Sequence, residues 1–345
     1  MLVFAPASRS ARGVRSLGAL YVTMMRSLGA LVAAAMLVAA TAPPSTNGDA
    51  AFVQVANAGA NTITFYGVDA NGDVAPVGTL GGAKTGLNAP QRVFPLTGVR
   101  LYVVNRGSDA ITAYPYGRAG DAAPMATIAG RKTLLDRPTS IQLDRDARIW
   151  VSNGGSDAID AFASDANGDV APLYHIAGSK TRLDRPVSFH ISFRTGQIYV
   201  SNRGSNAIAI FASGSDGNVA PTGWIAGPKT GLKAPAQLEQ DTQGHLWVAN
   251  PGAHDVLEFA NDANGDVAPI AVLTIPAAGF APYGIAFDLH DELIVSDPVA
   301  QALYRFAPNS HGSTRPVAVV RGKRTGLADP RQLGIPQPIA TAIPT

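Results

Sequence analysis

After position 51 the sequence returns six times to one pattern, at a period of about 48 residues. An asparagine or aspartate closes an apolar run at Asn57, Asn105, Asn153, Asn202, Asn250 and Asp297, at intervals of 48, 48, 49, 48 and 47. An aromatic follows each after nine residues (Tyr66, Tyr114, Phe162, Phe211, Phe259, Phe306) and a proline after nineteen (Pro76, Pro124, Pro172, Pro221, Pro269, Pro316). Three markers kept in step restrict the chain to an array of like units that bury their apolar faces against one another.

One repeat, residues 149–197, holds four short apolar or alternating runs: IWVSN, AIDAFA, LYHIAG and VSFHIS. The clusters NGGSD, SDANGDVAP and SKTRLDRP separate them, as turns separate antiparallel strands. Four strands per repeat and six repeats predict an all-β, six-bladed β-propeller of four-stranded antiparallel blades. A superhelical solenoid is the alternative. The array, however, begins at FVQVAN (52–57) with the second strand of a blade and ends at PRQLGI (330–335) with a first strand. Pairing these fragments closes the ring and removes two sheet edges. The expected organisation is a signal peptide and disordered segment at 1–44, the propeller at 45–335, and a proline-containing tail at 336–345.

The charge of +2 and the low content of charged residues, 15%, give no bulk attraction to nucleic acid. Without cysteine there is neither a disulfide framework nor a thiolate metal site. Arg12, Arg15 and Arg26 precede an apolar run at 28–42 that ends in small residues, the pattern of a secretory signal. The run is short for a membrane span. The block RSLGAL occurs at 15–20 and again at 26–31, with Met24 and Met25 just before the second copy, which points to a start codon there. The expectation is an exported monomer, periplasmic, cell-surface or extracellular, with no transmembrane domain after cleavage.

The segments PYGIAFDLHDELIVSDP (282–298) and LWVANPG (246–252) resemble NHL-type propeller repeats. More distantly they resemble the senescence-marker and gluconolactonase group of six-bladed propellers. The latter resemblance implies a divalent cation at the channel mouth, held by a glutamate and an asparagine from innermost strands and an aspartate that ends a second strand. Asp297 matches the aspartate. Arg92 stands where an acid would be needed, and Tyr283 precedes Gly284 where asparagine would be expected, so no bound cofactor is expected.

Counted from the proline that opens each innermost strand, the third residue on is always apolar: Val93, Ile141, Phe189, Leu238, Ile285, Leu333. The residues two and four on are mostly small or polar, and strand alternation turns them to the axial channel. Arg92, His190 and Glu239 are the ionisable members of that set, with Gln142 and Gln237 beside them. They form either a binding or acid–base group or a mutually hydrogen-bonded plug. The DANGD segments at 69–73, 165–169 and 262–266 carry alternating oxygens but no closing glutamate, so hairpin turns are expected rather than calcium loops. The ring asparagines are expected to make Asx-type turns and the six aromatics to fill the core.

Lys84, Lys132, Lys180, Lys229 and Arg324, each followed by threonine, recur in the loops that lead into innermost strands. The fifth cycle lacks this motif. By topology those loops and the post-asparagine turns share a face of charge +6, and the remaining segments share a face of charge −8. The favoured expectation is therefore a non-catalytic propeller that binds a protein, glycan or small anionic ligand through its basic face and channel mouth. The alternative is a lactonase-like hydrolase or lyase with a divalent metal and catalytic candidates His190, Glu239 and Asp297.

Overall fold

The computed structural model describes residues 52–276 and 279–336. The expected signal segment and the rest of residues 1–51, residues 277–278 of the fifth-cycle loop and the tail beyond 336 lie outside the described residues.

Six antiparallel sheets stand in a ring. Blade 1 is closed as expected: Pro330–Gly334 pairs with Phe52–Asn57, with Gln54 opposite Gly334 and Asn57 opposite Pro330. Thr62–Gly67 and Gly78–Gly81 complete it. The innermost strands of blades 2 to 6 are Pro90–Leu96, Pro138–Leu143, Pro186–Ile191, Leu238–Gln240 and Gly284–Phe287. Each runs on to a second, a third and an outermost strand.

The periodic positions become the core. Tyr66, Tyr114, Phe162, Phe211, Phe259 and Phe306 are among the largest fully buried side chains. Fully burying such a ring is worth about 1.5–3 kcal/mol, and the repeat places one in every blade. The apolar third residues of the innermost strands are buried too, from Val93 to Leu333.

The asparagine ring works differently from the expectation. Each side-chain oxygen reaches the loop that leads into the innermost strand of its own blade: Asn105 Oδ1 accepts from Asn88 N at 3.1 Å, and Asn153, Asn202 and Asn250 repeat the bond. Asn57 makes it across the ring closure, accepting from Ala328 N at 3.2 Å. Only Asp297 adds a local turn, its Oδ1 accepting from Val299 N and Ala300 N. The reason is topological: the loop that enters the blade has unpaired N–H groups beside a buried acceptor.

The DANGD segments also depart from the expected hairpins. Each climbs the outer rim alongside the outermost strand of the preceding blade. Parallel bridges join Gly72 to Val320, Gly120 to Leu80, Gly168 to Ile128, Gly217 to Ile176 and Gly265 to Ile225. In the sixth seam Gly312–Ser313 pairs with Ala271–Thr274. Gly72 and its counterparts adopt positive φ, which lets the backbone turn in beside the strand. Asn71, Asn167 and Asn264 accept from the neighbouring strand, and Asp73, Asp121, Asp169 and Asp266 accept from the loop above it. Every outermost strand is thus covered by the next blade.

Candidate functional site

The channel groups converge, as the strand alternation predicts. Arg92, on blade 2, lies diametrically across the ring from Glu239 on blade 5, and its Nη2 donates to Glu239 Oε1 at 2.8 Å. His190, on the adjacent blade 4, places Nδ1 2.9 Å from Glu239 Oε2. Gln237 Nε2 donates to Glu239 Oε1 at 3.1 Å, while its own oxygen accepts from Ile285 N and Leu333 N. Gln142 ties to the backbone of Ile191 in both directions.

A second crossbar lies beside this ion pair. Gln332 of blade 1 donates to Thr139 O and to Val187 O, both at 2.9 Å, so it bridges to blades 3 and 4. Gly334, on the same strand, faces the backbone of Val93, whose oxygen would lie 2.5 Å from an added Cβ. Absence of a side chain there lets blades 1 and 2 close up. Strand alternation places Gln332 in the inward set, but not its partners, because an amide gives no sign of which distant carbonyls it will meet.

The electrostatics follow from the geometry. Burial by itself would raise the Glu239 carboxyl, but the hydrogen bond from His190 and the charges of Arg92 and His190 outweigh it and bring the pKa to about 2. Glu239 is therefore an anion held by Arg92, His190 and Gln237, not a general base. Arg92 is 7% exposed, and its Nε and Nη1 have no hydrogen-bond partner among the described residues.

Asp297 stands apart. It is fully buried, with Oδ2 accepting from Ala281 N at 2.9 Å and Oδ1 holding its own turn. Both oxygens are committed to backbone N–H groups, Oδ2 taking the bond to the incoming loop that Oδ1 takes in the five asparagines, so this residue does not join Arg92, His190 and Glu239.

The basic loops do not meet the channel groups. Lys84, Lys132, Lys180, Lys229 and Arg324 are exposed, and their backbone N–H groups bond to Asp121, Asp169, Asn218, Asp266 and Asp73 of the rim segments. Each therefore sits at the outer rim of its blade. The threonine that follows is structural, accepting at Oγ1 from the residue two on, as Thr85 does from Leu87 N. Since the climbing segments bring four aspartates to this side, its charge falls from +6 to about +2 and the opposed face from −8 to about −4. Sequence arithmetic missed this because it assigned whole segments to one face.

Two further clusters lie on the opposite face, where innermost strands turn back into second strands. A cleft of about 280 Å³ between blades 3 and 4 is lined by Arg145, Arg148, Tyr174 and Arg194 among others. Arg148 is held there by Asp144 at 2.8 Å and by Tyr174 at 2.9 Å. In blade 5, Asp241, His245 and Glu258 bring ligand atoms within 4.8 Å of one another.

No protein-family model and no curated protein matches the sequence. Similar solved structures are propellers. A nidogen/laminin complex component is 14% identical at a TM-score of 0.60, over 83% of this chain and 98% of that one. A streptogramin B lyase is 13% identical at 0.54, over 83% and 93%. Virginiamycin B lyase from Staphylococcus aureus is 14% identical at 0.51, over 73% and 75%. At these identities the likeness is one of fold, the six-bladed propeller that the repeat predicts.

Proposed function

We propose that this chain is an exported, non-catalytic propeller that binds an anionic ligand, a carboxylate- or phosphate-bearing group of a protein, glycan or small molecule, at the channel mouth. One observation carries the reading. Arg92 is buried with a single amino group paired to Glu239, and its remaining donors are unmatched. Leaving a buried donor unsatisfied costs about 1–3 kcal/mol, which an incoming anion would recover. The rim cations are supporting charges in this reading and not the site itself. A similar propeller comes from a nidogen/laminin complex, which supports a binding role for such a ring.

The test is calorimetric titration of the purified mature protein with inorganic phosphate and with glucuronate, using glucose as the uncharged control. Binding of either anion, lost in Arg92→Met and largely kept when Lys132, Lys180 and Lys229 are changed to glutamate, is the expected result. Anion binding that survives Arg92→Met but disappears on Arg194→Glu would move the site to the cleft and overturn the reading. Absence of binding by both anions would do the same.

A hydrolase or lyase is the second reading, favoured by the Glu239–His190 contact, a carboxylate–imidazole pair of the kind that orients a catalytic histidine. It would draw chemistry from His190 with Glu239 as its orienting partner. Asp297 would contribute nothing, since its oxygens are committed. Turnover of a lactone or cyclic ester that vanishes in His190→Ala would favour it over simple binding.

A further inference from the structure

The repeat supplies its own controls for the cluster in blade 5. In blade 3, Asp144 starts the turn into the second strand, Arg148 follows four residues on, and Trp150 donates Nε1–H to Asp144 Oδ2 at 2.7 Å. Blade 5 repeats this frame with Asp241, whose Oδ1 accepts from Gln243 N and His245 N and whose Oδ2 accepts from Trp247 Nε1 at 3.0 Å. The equivalent Asp144 Oδ2 takes a second partner, Arg148, beside its tryptophan. His245 occupies the place of Arg148. Across the strand pair, Glu258 opposes Trp247 where Ala161 opposes Trp150. Blade 6 has the acid and base exchanged, with Glu292 in the turn and Arg305 on the third strand, paired at 3.1 Å.

Blade 5 is thus the one of these three in which the carboxylates face an imidazole instead of a guanidinium. His245 Nδ1 lies 2.8 Å from Glu258 Oε1 and 3.4 Å from Asp241 Oδ2. A single ring nitrogen has one proton to donate, so it cannot serve both carboxylates. Replacing arginine by the shorter histidine also withdraws the atoms that fill this place in blade 3. A second imidazole, His311 on the segment that climbs beside blade 5, is close enough to act electrostatically on Glu258.

We propose that Asp241, His245 and Glu258 bind a divalent transition-metal ion, zinc, in the place that the guanidinium of Arg148 takes in blade 3. Carboxylate oxygens alone would also suit magnesium or calcium, and the imidazole nitrogen is the donor that turns the set toward zinc. Tetrahedral ligands at about 2.0–2.1 Å from the ion lie roughly 3.4 Å apart. His245 Nδ1 already stands at 2.8 and 3.4 Å from the two carboxylates, and the ligand atoms, all within 4.8 Å of one another, must draw together at most from that distance to reach the arrangement. The three side chains are between 11% and 27% exposed, so the cluster is in reach of solvent. This site lies away from the channel and serves the blade and its seam with blade 6.

Equilibrium dialysis of the tag-free protein against zinc chloride, with bound metal measured by mass spectrometry, tests the assignment. About one zinc per chain is expected, together with a rise in the melting temperature on adding zinc. The double variant His245→Arg, Glu258→Ala rebuilds the blade 3 pattern and should stay folded by circular dichroism. Its zinc affinity should fall roughly tenfold or more, and its zinc-dependent melting shift should vanish. No zinc uptake by the native protein overturns the proposal, as does unchanged uptake by the folded double variant. Because Arg92 and His190 are intact in that variant, the channel assay can still succeed or fail independently.

Discussion

Glu239 and Asp160 are both buried or nearly buried carboxylates beside a histidine, yet they respond to pH in opposite senses. Glu239 titrates at about 2 in the folded protein against an ordinary value of 4.5. Its stabilising contribution is therefore complete above about pH 4.5 and is lost as pH falls toward 2. Glu239→Gln leaves Arg92 buried without its anion and should cost about 3–5 kcal/mol at neutral pH. In thermal melts the gap between variant and native protein should narrow steadily as the pH is lowered through that window. Asp160 is fully buried, and desolvation raises it to about 6 despite His175 at 2.6 Å and Asn153 at 2.6 Å. Its folded pKa lies above the ordinary 3.8, so its contribution is greatest below that value and declines as pH rises through about 6. Blades 1 and 2 place Thr64 and Thr112 at this position, each bonded to the ring asparagine at 2.9 Å. Asp160→Thr should therefore keep the Asn153 bond and gain stability over the native protein between pH 4 and 7, by up to about 3 kcal/mol. A melting difference that does not change with pH would contradict this. In blade 4 the equivalent residue is Ala209, and Asn202 Nδ2 has no hydrogen-bond partner among the described residues. Ala209→Thr should supply one, with a gain of about 1 kcal/mol if the hydroxyl fits.

The rim segments show where reading a sequence stops. Strand number, the ring closure, the buried aromatics and the inward set of Arg92, His190 and Glu239 could all be read from periodicity, because each depends on which face of a strand a residue occupies. The climb of DANGD along the neighbouring blade could not, since Asn-Gly is equally compatible with a hairpin and only a partner from another repeat distinguishes them. For the same reason the pairing of Gln332 with Thr139 and Val187, and the contact of His245 with Glu258, required the folded ring. Asp121→Ala removes the acceptor for Lys84 N, a bond of 2.7 Å. The expected cost is about 1 kcal/mol, with faster amide exchange confined to the loop at 82–87 and the strand at 78–81. Uniformly faster exchange across blades would mean that the seams do not act locally.

Closure by Pro330–Gly334 makes the propeller one cooperative body, because removing that strand uncovers an edge on blade 1 and takes Gln332 from the channel. Deleting residues 329–345 should lower the melting temperature sharply and promote association through the new edge, whereas deleting 337–345 should change it little. Equal melting temperatures for the two deletions would show that the closing strand adds nothing. The seams at the rim join each blade to the next all the way round the ring, and the break in the chain falls within blade 1. In that blade the ends of the ring lie side by side, Gln54 opposite Gly334, much as Leu96 and Arg100 face each other across an ordinary turn in blade 2. Where the chain starts is thus a matter of gene order more than of architecture. A circular permutant that fuses residue 335 to residue 53 through a short turn, and opens instead between blades 3 and 4, should fold to the same ring.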